Sequence, residues 1–300
     1  MLAVTILGSN SAVPAHNRHP TAQVVQSNGQ KFLVDCGEGT LLRMMHFKIK
    51  PLKIDHIFIS HLHGDHYFGL PGMLTTMGLN QRSKDLHIYS PKYLEEIIEL
   101  QLKVANATLP YKIHFHTIED EGVIAETKDI IIESFKVKHR IECWGFLFRE
   151  KKNPRKIDES QIMGSQIPVT FYEKLQAGED FISSSGNIIA NHLLTVTGDI
   201  PKTYAYCADT VYFEPIADKV MNADLLYHES TYLHELEEKA VSRFHSTAKH
   251  AAMIARKANA KKLLLGHFSS MYDVLDDFQS EAEEIFENTE CAKEGVCYIV

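Results

Sequence analysis

The sequence has no Cys-x-x-Cys pair, no apolar run long enough to cross a membrane, no charged leader and no surplus of basic charge. Each absence removes a class of protein. The five cysteines (Cys36, Cys143, Cys207, Cys291 and Cys297) are odd in number, and a 300-residue chain needs no disulfide staples. Free thiols in a reducing cytoplasm are the expectation, with Cys291 and Cys297 close in sequence yet unpaired. The apolar opening, residues 1–7, is too short for a signal-peptide core and reads as a strand. No segment approaches the length of a membrane helix, so no membrane association is expected. Lys and Arg number 31 against 39 Asp and Glu, a net charge of −8, which argues against indiscriminate nucleic-acid binding and leaves room for a local basic patch. Internal repeats and low-complexity tracts are missing as well.

What the chain does have is 44% hydrophobic content, enough for a large core. Short apolar segments alternate with longer amphipathic ones, which predicts an α/β fold. Strands are expected at 4–7, 22–26, 31–35, 56–60, 86–90, 113–117, 129–138, 143–149, 204–207, 225–227 and 262–265. Helices are expected at 93–103, 248–258 and 276–288. The second of these follows Ser246 and Thr247, good N-caps, and lines up Ala248, Ala251, Ala252, Ala255 and Ala258 on one face. Residues 150–202 differ in character, being polar and carrying Pro154, Pro168, Pro201, Gly164, Gly178, Gly186 and Gly198. They read as an insertion projecting from the core, because a loop this long is usually functional or mobile.

The strongest chemical signal is His61-Leu62-His63-Gly64-Asp65-His66, directly after the apolar residues 57–59. Residues two apart in extended backbone point to one side, so His61 and His63 can face one ion. Gly64 permits a tight turn, after which Asp65 and His66 can swing toward a second ion. Imidazole and carboxylate together suit zinc or a similar divalent metal. His139, Asp209 and His267 each follow an expected strand, the usual place for site residues in layered α/β folds. Any one of them alone would read as structural. A His-rich surface turn is the competing reading of 61–66, and these further ligands downstream argue against it. His114 and His116 alternate on a strand and read as a solvated face.

This motif resembles the signature of the metallo-β-lactamase superfamily. Four further segments resemble one branch of it, ribonuclease Z, the endonuclease that trims the 3′ end of tRNA precursors. They are Asp35-Cys36-Gly37-Glu38-Gly39-Thr40, His228-Glu229-Ser230-Thr231, Phe244-His245-Ser246-Thr247-Ala248 and Gly266-His267-Phe268-Ser269-Ser270-Met271-Tyr272. The resemblance runs from about residue 4 to 275. It implies a four-layer αββα sandwich, one domain over 1–300 with an inserted arm at about 150–202 that grips tRNA. It implies a pair of zinc ions per subunit, with manganese as the alternative. His61, His63 and His139 would hold one ion, Asp65, His66 and His267 the other, with Asp209 bridging. It also implies a cytoplasmic homodimer, since Leu70-Pro71-Gly72-Met73-Leu74 resembles a helix start that helps to form the dimer interface in relatives. Two departures stand out. Residues 166–178 resemble the arm's motif but carry Val169, Thr170 and Phe171 in place of Pro and Gly-Pro, and Met271 stands where an arginine is expected.

In this reading Asp65 accepts the proton of the attacking water. His245, just before a helix N-terminus that favours phosphate, protonates the leaving group. Glu229 holds the His245 imidazole in its useful tautomer. Ser269 and Ser270 are candidate hydroxyl donors to a phosphate. Lys151 and Lys152 are candidate substrate contacts within the densest basic stretch, which runs from Lys136 to Lys156. A solvated charged face is the other reading of that stretch. The expected activity is zinc-dependent endonucleolytic cleavage of tRNA precursors, leaving a 3′-hydroxyl on the tRNA. The alternative is a phosphodiesterase of the same fold acting on small or cyclic phosphodiesters, which would not need the arm. A silent RNA-binding relative is a third reading, and the complete ligand set argues against it.

Overall fold

The computed structural model describes residues 1–152, 154–163 and 167–300, so Gly164 of the insertion and Gln166 of the arm motif lie outside the described residues. The short apolar segments pair into two seven-stranded sheets. The first runs Cys297–Ile299, Leu2–Gly8, Ala22–Ser27, Gln30–Val34, Ile54–Phe58, Leu86–Ser90, Ile113–Thr117 from edge to edge. The second runs Thr289–Cys291, Leu263–Gly266, Leu225–Glu229, Thr203–Cys207, Trp144–Glu150, Ile130–Lys136, Gly122–Glu126.

Successive side chains point to opposite faces, so the near-continuously apolar central strands give each sheet two apolar faces. The facing sides share one aromatic-rich core of Phe58, Trp144, Phe146, Phe148, Tyr204, Tyr206 and Tyr227. Behind the first sheet, Leu33, Ile57 and Ile88 cluster with Met73 and Met77 of the helix Leu70–Leu79 and Ile98 of the helix Leu94–Val104. Behind the second, Leu226, Leu263 and Leu265 cluster with Ala248, Ala251, Ala252 and Ala255 of the helix Ala248–Lys257. The alanine face that sequence patterning predicts is buried there, and small side chains let helix and sheet backbones approach closely. Thr247 caps that helix by accepting the His250 N–H. The layers are therefore helix, sheet, sheet, helix, an αββα sandwich.

Strands missed by patterning are short or at edges. Gly122–Glu126 and Cys297–Ile299 are largely exposed edge strands, and Thr289–Cys291 is three residues long. The last helix is Asp276–Glu283, shorter than expected, because Ile285 and Phe286 turn inward onto the second-sheet core. The strand expected to reach Ser60 ends at Phe58, since the Ser60 N–H leaves the ladder for Asp35 Oδ1 at 2.7 Å. The expected solvated face at His114 and His116 is a half-buried ring stack instead. His56, His87 and His114 stand in register on neighbouring parallel strands, with ring centroids 5.1 and 4.9 Å apart, and His116 stacks on Tyr89 at 4.5 Å. All five cysteines are free, and only Cys297 is exposed. Among the described residues no helix is long and apolar enough to cross a membrane.

Residues 150–201 form a second compact unit. Lys156–Ile157 pairs with Thr195–Val196, and Phe181–Ile182 pairs with Ile188–Ile189. Ile162, Ile167, Leu175 and Leu194 make a small core of its own. Asn191, buried, donates to the carbonyls of Leu175 and Glu179 at 2.8 and 2.9 Å and ties the unit's helix end to its hairpin.

Candidate active site

Strand ends of both sheets deliver the ligands that sequence spacing singles out. His61 and His63 follow Ile54–Phe58, and Asp65 and His66 sit in the short helix Gly64–Tyr67. His139 follows Ile130–Lys136, Asp209 follows Thr203–Cys207, and His267 follows Leu263–Gly266. The chain turns at Gly64 into that helix without left-handed backbone. What Gly64 needs is space, because a Cβ there would lie 2.2 Å from the Phe68 ring. A second close approach fixes the same loop. A Cβ on Gly37 would lie 2.3 Å from the Asp65 carbonyl oxygen, and one on Gly69 would lie 2.2 Å from the Gly37 carbonyl oxygen.

The side chains converge into two clusters. His63 Nδ1 lies 3.0 Å from His61 Nε2 and 3.1 Å from His139 Nε2. His66 Nε2 lies 3.3 Å from His267 Nε2, and Asp65 Oδ2 lies 3.6 and 3.5 Å from those two nitrogens. Asp209 stands between them. Its Oδ2 is 3.6 Å from His61 and 3.9 Å from His139, while its Oδ1 is 3.1 Å from His267 and 3.4 Å from His66.

Partners behind the rings aim them. His139 Nδ1 donates to the Phe244 carbonyl at 2.9 Å, so the neutral ring presents a lone pair at Nε2. His66 Nδ1 lies 2.7 Å from Asp35 Oδ2, and His267 Nδ1 lies 3.0 Å from Thr231 Oγ1. Asp35 is itself held by Ser60 and by the Tyr206 hydroxyl. Asp35 and His267 both have left-handed backbone, φ 55° and 59°. Non-glycine residues in that region are strained by roughly 1–3 kcal/mol, a cost typical of functional positions.

The electrostatics favour a cation at the centre. Burial holds His61 well below the ordinary histidine value, and burial with neighbouring His139 pulls His63 down to about 4. These rings are neutral and free to act as ligands. Burial opposes charge on His66, yet Asp209, Asp35 and Asp65 outweigh it and raise that group. Burial likewise works against the Asp209 carboxylate, but His267, His66 and His61 keep it ionised. Asp209 Oδ1 is buried without a hydrogen-bond partner. Neutral imidazoles at His61 and His63, ionised carboxylates and a buried oxygen with no hydrogen-bond partner among the described residues fit divalent metal. Ligand atoms of His61, His63, His139 and Asp209 lie within 4.8 Å of one another, as do those of Asp65, His66 and His267.

Beside the clusters, His245 Nδ1 lies 2.9 Å from Glu229 Oε1. Burial lowers the His245 pKa, but Glu229, joined by Asp209 and Asp65, outweighs it and raises the value to about 9, so the ring carries two protons at neutral pH. A cavity of about 670 Å³ opens over His63, Asp65, Asp209, His245 and His267. Ser269 and Ser270 line it. Lys151 and Lys152 belong to the second unit, where Lys152 borders a separate hollow with Arg155 and Gly178. Sequence reasoning assigned no role to Asp35, Ser60, Thr231 or Tyr206, which orient the ligands. Asp35 opens one of the resembling segments and Thr231 closes another, so a signal is present for both; Tyr206 has only its place on a strand. The cavity wall also carries Arg140, Lys239 and Arg243.

Comparison with known proteins follows the same lines. Residues 2–154 match the family model described as Anti-Pycsar protein Apyc1. The chain is 39% identical over 294 residues to Ribonuclease Z of Bacteroides fragilis strain YCH46, covering 97% of each. It is 39% identical over 294 residues to Ribonuclease Z of Porphyromonas gingivalis strain W83, again covering 97% of each. Among solved structures, human tRNase Z, short form, superposes with a TM-score of 0.72 at 24% identity over 99% of both chains, a likeness of fold.

Proposed function

The chain belongs to the ribonuclease Z family, and over residues 2–154 to the family of the Anti-Pycsar protein Apyc1, and from that premise we propose that it removes 3′ trailers from tRNA precursors as a metal-dependent endoribonuclease. The observation that carries the reading is Asp209 standing between two ligand clusters, one carboxylate oxygen toward each. His61, His63 and His139 would hold one zinc ion and Asp65, His66 and His267 the other, with Asp209 shared; manganese is the alternative. When bound, such a pair makes water more acidic and draws charge from phosphate oxygens.

The chain's own residues do the rest. Asp65 takes the proton of the attacking water, its Oδ2 being kept in place by the Ala12 N–H at 2.8 Å. His245 gives a proton to the departing 3′ oxygen of the tRNA. Glu229 holds Nδ1, so the proton on Nε2 is the one available. Ser269 and Ser270 donate to phosphate oxygens in the cavity. Residues 150–202 are the arm of a single domain and hold the tRNA body, with Lys151 and Lys152 among the contacts. The exposed Phe68, just before the helix Leu70–Leu79, and Leu79 at its end support a homodimer through that helix. Free thiols support a cytoplasmic home.

The test is to incubate metal-loaded protein with a 3′-extended tRNA precursor and map the products. A single cut at the 3′ boundary of the tRNA, leaving a 3′-hydroxyl, is expected. Intact RNA alongside rapid hydrolysis of a cyclic nucleotide or simple diester would replace this reading with that of a small-substrate phosphodiesterase.

A further inference from the structure

Several surface lysines of this acidic chain have carboxylate partners. Lys219 pairs with Glu121, Lys249 with Glu284, Lys257 with Glu214 and Lys262 with Glu290. Lys239 and Arg243 do not. Both are exposed, both line the cavity over the ligand clusters, and among the described residues neither has a carboxylate within 4.0 Å. The Arg243 N–H donates to the Lys239 carbonyl at 3.1 Å, so the two side chains sit one helical turn apart on one face. Lys239 is also tethered at its tip. Its Nζ stands 5.1 Å from the centre of the Tyr232 ring and 3.8 Å from the Met271 sulfur. Tyr232 in turn lies against the His245 ring, with centroids 6.4 Å apart. An ammonium kept beside neutral partners, in a cavity with a proton donor on its wall, has its charge left over for a ligand.

We propose that Lys239 and Arg243 form a phosphate clamp for RNA flanking the scissile bond, with the Lys239 ammonium delivered to the place beside Met271, a position that carries no charge of its own. This inference rests on the nuclease reading above. The chemistry is that of a flexible polyanion. Two cations one turn apart neutralise separate phosphates, and the Tyr232 ring limits the wandering of the lysine without cancelling its charge. Desolvation costs stay low because both groups face open cavity. The arrangement also reconciles a net charge of −8 with an RNA substrate, since positive charge is needed only where the backbone enters.

The test compares Lys239→Met, Arg243→Met, their double variant, Lys239→Arg and Lys239→Glu with the wild type on a 3′-extended tRNA precursor, at several salt concentrations. Both residues are exposed, and unchanged melting temperatures will show that the variants fold. Each Met should raise KM roughly three- to tenfold, with kcat within about twofold. The salt slope should become shallower by about 0.7 for each single-strand phosphate that is no longer neutralised. Lys239→Arg should restore most of the affinity, and Lys239→Glu should be worse than Met. Cleavage by the wild type with unmoved KM and salt slope in the double variant sinks the clamp alone. An uncut precursor with wild-type protein sinks the clamp together with the nuclease reading.

Discussion

Glu229 Oε1 lies 2.9 Å from His245 Nδ1 and accepts the backbone N–H groups of Thr210 and Ser246 at 3.0 Å each. Its other oxygen accepts the N–H and hydroxyl of Thr231 at 3.0 and 2.9 Å. A buried carboxylate so surrounded stays ionised, and its charge is what raises His245. Glu229→Gln replaces an acceptor with an amide group facing donors, so it should cost about 1–3 kcal/mol of stability. The His245 pKa should fall from about 9 toward the ordinary histidine value, a shift readable by NMR.

His245→Ala removes the proposed proton donor and leaves the ligands of both clusters in place. The expected result is a loss of roughly two to four decades in kcat on precursor tRNA. Bound metal, measured on the purified protein, should stay at the wild-type level. A normal maximal rate would remove His245 from the reaction.

Asp65→Ala and Asp209→Ala separate two roles. Elemental analysis of the wild type should find close to a pair of divalent ions per chain. Asp209→Ala should lower occupancy at both clusters, because its oxygens face both. In each variant cleavage should collapse while the circular-dichroism spectrum remains that of a folded protein. Full metal content and activity in Asp209→Ala would show that the convergence of these groups serves something else.

The histidine stack predicts how stability depends on pH. Burial and neighbouring His87 pull His56 down to about 4, with Lys84 and His116 acting in the same sense and Asp55 against them. His87 and His116 are lowered as well, chiefly by burial. Below the ordinary histidine pKa the unfolded chain takes up protons that the folded one refuses. Stability should therefore be fully present above about pH 6.5 and fall as the pH drops toward about 4. His56→Phe should flatten that slope in thermal melts across this range; an unchanged slope would show that the stack does not govern acid stability.

Replacing residues 150–201 by a short linker tests the arm, and the unit's own small core makes a clean excision feasible. Cleavage of precursor tRNA should fall far more than hydrolysis of a simple diester. Equal losses would show that the unit supports the site rather than the RNA.

Much of this molecule is legible in the bare chain, and the reasons differ by element. The converging histidines and aspartates were readable because HxHxDH crowds four of them into six positions and the other three follow apolar strands. The sandwich core was readable from the short apolar runs of central strands such as Trp144–Glu150, buried at nearly every position, whereas Gly122–Glu126 is exposed on an edge and carries no such run. The orienting groups were harder. Thr231 and Tyr206 matter through their bonds to residues 36 and 171 positions away in the chain, which no local period encodes. The pairing of Lys239 with Met271 is of the same kind, two ordinary residues joined only by folding.

The glycines packed behind Asp65 carry a consequence for assembly. With backbone pressed on backbone at Gly37 and Gly69, no methyl group fits anywhere along that seam. The Asp65 loop is held by packing that needs no cation, so chelation should strip the protein without unravelling it.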